Sequence, residues 1–200
     1  MEQRGQAAAR GRRALRADSE RTVRTILAAA ERVLRKDPAA TIEQIAAEAG
    51  VARTTVHRRF ATREALIEAL GAWATRQFAD AIDSSRPEQL PPLVALYQVT
   101  VNVLEVKISW GYGMGRPAGV DPESDRIRAE ILARCDQLFR RAQQAGLLRP
   151  DVDLDWLRRV YYVLIGEAVE GDGAGRSPAE LASLVMDTLL RGAGANPSPL

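Results

Sequence analysis

Cationic and hydroxyl side chains are concentrated in one short stretch, residues 53–58, which reads Arg-Thr-Thr-Val-His-Arg. If the stretch is helical, Val56 and Phe60 lie four residues apart and face inward, and the polar side chains are left pointing outward. Arginine pairs with guanine through two parallel hydrogen bonds. The chemistry that this stretch offers is therefore noncovalent binding to DNA.

Catalytic and metal chemistry have little support elsewhere in the chain. His57 is the only histidine and Cys135 the only cysteine, and they are far apart. They make neither a zinc site nor a Cys-His pair, and a Ser-His-Asp triad would have to use a histidine already placed on the DNA-reading helix. A carboxylate site around Glu105, Glu167 and Glu170 remains as the catalytic alternative.

No cofactor is predicted. The glycines of the segment SWGYGMGRPAGV, which covers residues 109–120, lack the spacing and the preceding strand of a phosphate-binding loop. We predict instead a flexible connector between two helices, with a role as a pocket lid left open.

A helix-turn-helix is predicted to position the polar stretch. Thr41 and Gln44 have the spacing of a capping box, so a helix should begin at Ile42. Gly50 follows that helix, and glycine adopts the left-handed conformation that ends a helix with little energetic cost. A second short helix over 53–60, with cations and hydroxyl groups outward, is typical of a unit that reads DNA.

Residues 41–66 resemble the DNA-binding domain of the tetracycline-repressor (TetR) family of bacterial transcription regulators. Three positions depart from the family pattern: Ala52 replaces serine, His57 replaces tyrosine and Arg59 replaces histidine or tyrosine. Loss of the serine should weaken the helix cap by about 1 kcal/mol. The nine positions that agree are Gly50, Val51, Thr55, Val56, Phe60, Thr62, Arg63, Glu64 and Leu66.

The resemblance also implies roles for individual side chains. It places Thr54 and Arg58 near bases, beside Arg53, and Glu43 within reach of a cytosine amino group. The alternative for Glu43 is that its carboxylate repels DNA, and for Thr55 that it only caps a helix. The residues that the resemblance places at phosphates are Thr41, Thr55, His57 and Arg63.

Composition indicates an all-α protein. Hydrophobic residues make up 46% and charged residues 27% of the 200-residue chain, and alternating β-branched runs are absent. Residues 1–76 carry 15 Lys and Arg against 9 Asp and Glu, a net +6, whereas residues 77–200 carry 13 against 17, a net −4. A basic N-terminal part joined to an acidic remainder favours a polyanion-binding module attached to a second domain.

The expected location is the cytoplasm, without membrane association. A single cysteine excludes an internal disulfide, which fits a reducing compartment. The N-terminus lacks the apolar core of a signal peptide, and no segment approaches 18 uninterrupted apolar residues.

Four segments are predicted. Residues 1–17 form a flexible basic arm, either a solvated tail or an arm that follows phosphates or enters a minor groove. Residues 18–64 form the helix-turn-helix domain, whose first helix should start at Asp18 or Ser19. Residues 65–194 form a helical ligand-binding and dimerisation domain, and residues 195–200 a frayed tail.

The second domain should contain five helices, over about 62–84, 88–110, 121–145, 156–169 and 178–189, from the apolar periodicity and the capping residues of each. A mixture of apolar walls and a few hydroxyl groups suits a small, largely hydrophobic ligand, although an ordinary core explains the same residues. The acidic balance of the domain leans towards a cationic ligand. The candidate ligand residues are Tyr97, Thr100, Leu104, Trp110, Cys135, Phe139 and Tyr162.

The last two helices carry more apolar surface than a monomer of this length needs to bury, including Leu184 and Leu189. The resemblance implies that they pack against a second subunit. A two-fold homodimer would place two recognition helices on successive major grooves, so the operator should be a near-palindrome of double-stranded DNA.

The sequence is therefore interpreted as a transcription regulator, in the first instance a repressor that leaves its operator when a small-molecule effector binds. One alternative is a dimeric, sequence-specific DNA-binding protein with no effector. Another is an enzyme or carrier with an accessory DNA-binding head, for which no catalytic set is found.

Overall fold

The computed structural model describes residues 2–115, 121–171 and 175–194, with side chains from residue 17 onward. Within these ranges the chain forms eight α-helices and no β-strand, which confirms the all-α prediction. A short 3-10 turn, Pro87–Gln89, precedes the fifth helix. The helices are α1 (Glu2–Lys36), α2 (Ile42–Ala49), α3 (Arg53–Arg59), α4 (Arg63–Ser84), α5 (Pro92–Met114), α6 (Pro122–Gln144), α7 (Leu154–Glu170) and α8 (Pro178–Ala193).

The chain divides into two compact units, Met1–Trp73 and Ala74–Leu200. The division falls inside α4, whereas the sequence placed the domain boundary at the start of that helix, after Glu64. A helix is continuous across this point because its capping and apolar periodicity run from Thr62 to Ile82 without a break.

The N-terminal unit is built on the packing of α1 against α2. Ile26 and Leu34 of α1 are fully buried, as are Ile45 of α2 and Leu66 of α4. A second tie is the ion pair between Arg32 and Glu48, whose Nε and Oε1 atoms lie 2.8 Å apart. These contacts hold α1 and α2 together, and α3 packs against α2.

The predicted beginning of the first helix was wrong. Helix α1 begins at Glu2, whereas the sequence indicated a non-helical arm over 1–17 and a cap at Asp18 or Ser19. The prediction relied on apolar periodicity, which residues 1–17 lack. Alanine, arginine and glutamine nevertheless have high helix propensity, so a helix already stabilised by packing continues through them.

The C-terminal unit buries an apolar core on which α5 is central. Helix α5 carries apolar residues on several sides, and it packs against α6, α7 and α8. The core includes Leu96 and Leu104 of α5, Phe139 of α6, Tyr161 of α7 and Leu181 of α8, all at most 3% exposed. The Phe139 and Tyr161 rings pack in a T-shaped arrangement, with centroids 5.4 Å apart and an interplanar angle of 85°.

The predicted connector after residue 110 was partly wrong. Helix α5 continues to Met114, with a single non-helical residue at Trp110 (φ −131°, ψ 26°). Gly113 is buried, so packing offsets the entropic cost of glycine in a helix. The last part of the predicted connector, residues 116–120, lies outside the described residues.

Side-chain caps are present at the start of three helices in the C-terminal unit. Asp121 accepts hydrogen bonds from the backbone N–H groups of Glu123 and Ser124 at the start of α6. Ser177 and Glu180 form a complete capping box at the start of α8. Helix α7 begins slightly earlier than predicted, because Asp153 caps it.

The two leucines expected at a subunit interface differ in exposure. Leu184 of α8 is 50% exposed, whereas Leu189 is 2% exposed and belongs to the core of its own chain. The interface role predicted for Leu189 was therefore wrong, because the apolar periodicity of α8 does not separate a face turned to α5 and α7 from one turned to solvent.

None of the helices in the described part of the chain combines the length and the apolar character that a membrane span requires.

Candidate nucleic-acid interface and ligand cavity

The turn between α2 and α3 has the geometry that the sequence predicts. The Thr41 hydroxyl accepts from the backbone N–H of Gln44, and the Gln44 side chain accepts from the Thr41 N–H at 2.7 Å. Gly50 takes up φ +66° and ψ 29°, a left-handed conformation that favours glycine. The Val51 N–H then donates to the carbonyl of Ala46 at 3.0 Å, and the chain turns into α3.

Helix α3 presents its polar side outward from a small apolar base. Val56 is fully buried and Phe60 is 7% exposed, so these two residues anchor the helix. Ala52 at the N-cap makes no side-chain capping bond, in keeping with the missing serine. The predicted contact residues on the outer side are Arg53, Thr54, His57 and Arg58, which are exposed, and Thr55, which is half-buried.

Arg53 is held by two other predicted contact residues. Its Nη1 lies 2.8 Å from Oε1 of Glu43, at the start of α2. Its Nε donates to Nε2 of His57, one turn further along α3, at 3.2 Å. The pKa of the Glu43 carboxyl is lowered, first by a hydrogen bond from the Glu43 backbone N–H and further by the Thr41 hydroxyl and the Arg53 guanidinium. The carboxylate therefore stays ionised beside the arginine.

Two of the residues predicted to contact phosphates also have structural partners. Arg63 donates from Nη2 to the carbonyl of Pro38 at 2.6 Å and from Nε to that of Ala40 at 3.1 Å. It thereby braces the loop between α1 and α2 against the start of α4. Thr41 is engaged in the capping box of α2.

The C-terminal unit contains a cavity of about 310 Å³, at the lower end of the usual size for small-molecule sites. Its walls come from α4, α5, α6 and α7 and are mostly apolar. The lining residues are Thr75, Phe78, Val103, Lys107, Met114, Arg128, Ile131, Leu132, Tyr162 and Ile165.

Tyr162 is the one predicted ligand residue that lines this cavity. Tyr162 and Cys135 also line a smaller space of about 30 Å³ in the same unit. Thr100, Leu104 and Phe139 are fully buried core residues. The aromatic and hydroxyl content of the sequence does not distinguish a cavity wall from a core, because both require the same side chains.

The other two predicted ligand residues have other contacts. The Tyr97 hydroxyl donates to the carbonyl of Ala179 at 3.3 Å, which ties α5 to the start of α8. Trp110 is half-buried at the irregular turn of α5.

Sequence reasoning missed Lys107 and Arg128, which are the cations among the described residues of the cavity wall. One signal was available. Lys107 and Glu105 are the only charged residues of α5, and a cation within a largely apolar helix is a candidate for ligand binding. The acidic balance of the domain pointed to a cationic ligand. The charged side chains that line the cavity are positive, however, and would repel a cation.

The buried hydroxyl and thiol groups of this unit are not activated for nucleophilic chemistry. Burial raises the pKa of the Cys135 thiol to about 11, so the thiol is protonated at neutral pH. Burial also raises the pKa of Tyr161 and of Tyr162. Within the described residues, no group of three or more His, Cys, Asp or Glu side chains could hold a metal ion.

Comparisons with known proteins agree with this arrangement. Residues 26–70 match the family model described as bacterial regulatory proteins, tetR family. The chain is 31% identical over 181 residues to the HTH-type transcriptional repressor LfrR of Mycolicibacterium smegmatis, covering 86% of this chain and 90% of LfrR. It is 28% identical over 167 residues to the HTH-type transcriptional regulator NfxB of Pseudomonas aeruginosa, covering 80% and 88% of the two chains.

A solved structure extends the likeness to the whole fold. The crystal structure of the TetR-like transcriptional regulator LfrR from Mycobacterium smegmatis in complex with proflavine superposes with a TM-score of 0.64 at 29% identity. The match covers 86% of this chain and 96% of that chain, so both compact units have counterparts there.

Proposed function

Since the chain belongs to the TetR family of bacterial regulatory proteins, whose members are DNA-binding regulators and not enzymes, we propose that it is a repressor released from its operator by a small molecule. The operator is a near-palindromic stretch of double-stranded DNA, and the protein binds it as a homodimer in the cytoplasm.

The observation that carries the DNA-binding part is the outer side of α3. Arg53 and Arg58 are exposed there, next to hydroxyl groups, on a helix whose inner side is locked by Val56 and Phe60. A short helix anchored in this way is presented to the major groove as a rigid unit, and its first residues reach base edges. Arg53 and Thr54 occupy those first positions.

Release by an effector rests on the cavity of the C-terminal unit. Its volume of about 310 Å³ and its apolar walls suit a small hydrophobic molecule. The LfrR structure in complex with proflavine supports a small-molecule effector for this chain as well. A ligand that prefers the conformation with misaligned recognition helices lowers the affinity for the operator by its differential affinity for the two conformations.

Dimerisation is supported by the apolar side chains that α7 and α8 leave exposed. Val163 is 69% exposed and Leu184 is 50% exposed. Because α7 and α8 pack against each other, these exposed side chains are candidates for one association surface. A two-fold dimer also matches the two halves of a palindromic operator.

The proposal is tested by selecting bound sequences from a random duplex library with the full chain. We expect a near-palindromic motif whose half-sites are centred about one helical turn apart. The selected duplex, labelled with a fluorophore, then reports release in an anisotropy assay with a panel of small molecules. Binding without any motif, strongly weakened by salt, would contradict sequence reading. A motif that no compound releases would favour the dimeric DNA-binding protein without an effector.

A further inference from the structure

The cavity of the C-terminal unit has a positively charged wall. Lys107 of α5 and Arg128 of α6 both line it, and none of its described lining residues is an Asp or Glu. The described part of the wall therefore offers cationic donors to a ligand and no carboxylate to balance a ligand cation.

Lys107 has no ion-pair partner among the residues that the structure describes. It is half-buried, and its Nζ lies beside α7, 3.5 Å from where a Cβ on Gly166 would be. With no counter-charge beside it, this ammonium group is left to make a charge-assisted hydrogen bond to an anion that enters the cavity.

Arg128 is only loosely neutralised. Its Nη1 lies 3.4 Å from Oδ1 of Asp125, on the preceding turn of α6, and Asp125 is not part of the cavity lining. A guanidinium group has five N–H donors, so this contact leaves donors for a carboxylate in the cavity.

The remaining lining residues indicate that the rest of the ligand is apolar. Phe78, Val103, Ile131 and Ile165 are apolar, and they come from four different helices, so they surround the ligand body rather than one edge. The Tyr162 phenol is neutral because burial raises its pKa, so it adds a hydrogen-bonding group without adding charge.

We propose that the cavity selects small amphipathic anions, with an apolar body against α4 to α7 and a carboxylate bound by Lys107 and Arg128. This inference rests on the proposed function for its biological meaning, because it names the chemical class of the effector. The binding preference itself is a property of the cavity and is measurable without DNA.

The test compares three probes that share one ring system and differ in charge: 2-naphthoate, 2-naphthalenemethanol and 2-naphthylmethylammonium. Each is titrated into the full-length protein by isothermal calorimetry at one salt concentration. We expect 2-naphthoate to bind about tenfold more tightly than the alcohol, and the ammonium probe to bind least tightly. Equal or tighter binding of the ammonium probe, or no binding of any probe, would overturn the proposal.

A second experiment tests whether the charge of Lys107 causes the preference for the anion. Lys107→Met keeps the apolar length of the side chain and removes its charge, so it should abolish the tenfold advantage of 2-naphthoate and leave the alcohol unchanged. The matched control is Arg140→Met, an exposed position on α6 outside the lining, which should retain the advantage. An unchanged preference in Lys107→Met would also overturn the proposal. The comparison of probes on the unaltered protein needs no variant, so it stands even where a variant folds poorly.

The operator assay separates this inference from the proposed function. If 2-naphthoate binds with the expected preference but does not release the selected duplex, the anion site stands and regulation by an effector fails. If a cationic or neutral compound releases the duplex and 2-naphthoate does not bind, regulation stands and the anion site fails.

Discussion

Nη1 of Arg53, the first residue of α3, lies 2.8 Å from Oε1 of Glu43 in the first turn of α2. His57 accepts a hydrogen bond from Nε of Arg53, so two sides of the guanidinium group already have partners within the protein. The Nη2 donors remain available for a base edge. Glu43 and His57 thus restrict the rotamers of Arg53 in the free protein. If Arg53 reads guanine as we propose, this restriction lowers the entropic cost of the contact.

Arg53→Ala should relax base preference at one position of each half-site. The loss of a bidentate contact costs about 1–3 kcal/mol of discrimination between bases. Selection from a random duplex library with the variant measures it directly. Arg59→Ala, which removes the same charge from the exposed end of α3, is the control and should keep the motif. An identical motif from both variants would mean that Arg53 does not read a base.

Glu43→Gln should lower the ratio of operator affinity to nonspecific affinity. Removal of the carboxylate frees the Arg53 side chain and also removes a charge that repels phosphates, so nonspecific binding should become tighter while the operator motif becomes less sharp. The melting temperature should hardly change, because both partners are at least half exposed and exposed ion pairs contribute about 0–1 kcal/mol. An unaltered affinity ratio at fixed salt would exclude a positioning role for Glu43.

The helix-turn-helix could be predicted from the sequence because its signals are local. The Thr41–Gln44 capping box, the left-handed Gly50 and the buried pair Val56 and Phe60 each depend on residues only a few positions apart. What the sequence could not show is the tertiary pairing of polar groups, such as the bond of Arg63 to the Pro38 carbonyl, 25 positions away.

The cavity was harder to predict for a different reason. Whether an apolar side chain lines a cavity or fills the core depends on how four helices diverge, and periodicity carries no information on that distance. Thr100 is an example: its hydroxyl lies 2.8 Å from that of Tyr161 in the core, and it was predicted as a ligand residue from its type alone. A cation on an apolar helix, Lys107, was the more informative signal.

Arg63→Ala should destabilise the N-terminal unit rather than change the operator motif. The guanidinium group ties two loop carbonyls to the start of α4, and hydrogen bonds of this kind at a half-buried site contribute about 1–2 kcal/mol. Chemical denaturation measures the loss, with Arg21→Ala, an exposed position on α1, as the control. Full stability together with a salt slope of operator binding reduced by about 1 would instead assign Arg63 to a phosphate.

Asp121→Asn should make the C-terminal unit less stable at neutral pH, by an amount that disappears in acid. The pKa of Asp121 is lowered from its ordinary 3.8, first by the hydrogen bond from the Ser124 hydroxyl and then by the backbone N–H groups of α6. A lowered folded-state pKa contributes stability that is present above the unfolded value and is lost as pH falls through the folded value.

Thermal unfolding between pH 3 and pH 7 tests this prediction. The difference between the unaltered protein and Asp121→Asn should be largest at neutral pH and shrink below the ordinary pKa of 3.8. Asp80→Asn, at an exposed position within α4, should show no such pH-dependent difference. A constant difference across the range would mean that the charge of Asp121 does not contribute to the cap.

Val163→Glu combined with Leu184→Glu should convert the dimer into monomers. The two side chains are 69% and 50% exposed in the single chain, on adjacent helices α7 and α8, so glutamate at both sites is tolerated by the protomer and repelled at a two-fold interface. Leu189 is unsuitable for this test, because a charge at a position only 2% exposed would unfold the chain itself.

Light scattering should show half the mass of the unaltered protein, and circular dichroism should show unchanged helix content. The matched control is Val94→Glu on α5, an apolar side chain exposed to a similar extent, 49%, but outside α7 and α8. Operator affinity should fall sharply in the double variant alone, because a monomer places one recognition helix instead of two on the palindrome, and the second helix then no longer binds at high effective concentration. If the double variant keeps the dimer mass and Val94→Glu loses it, the subunits meet through α5.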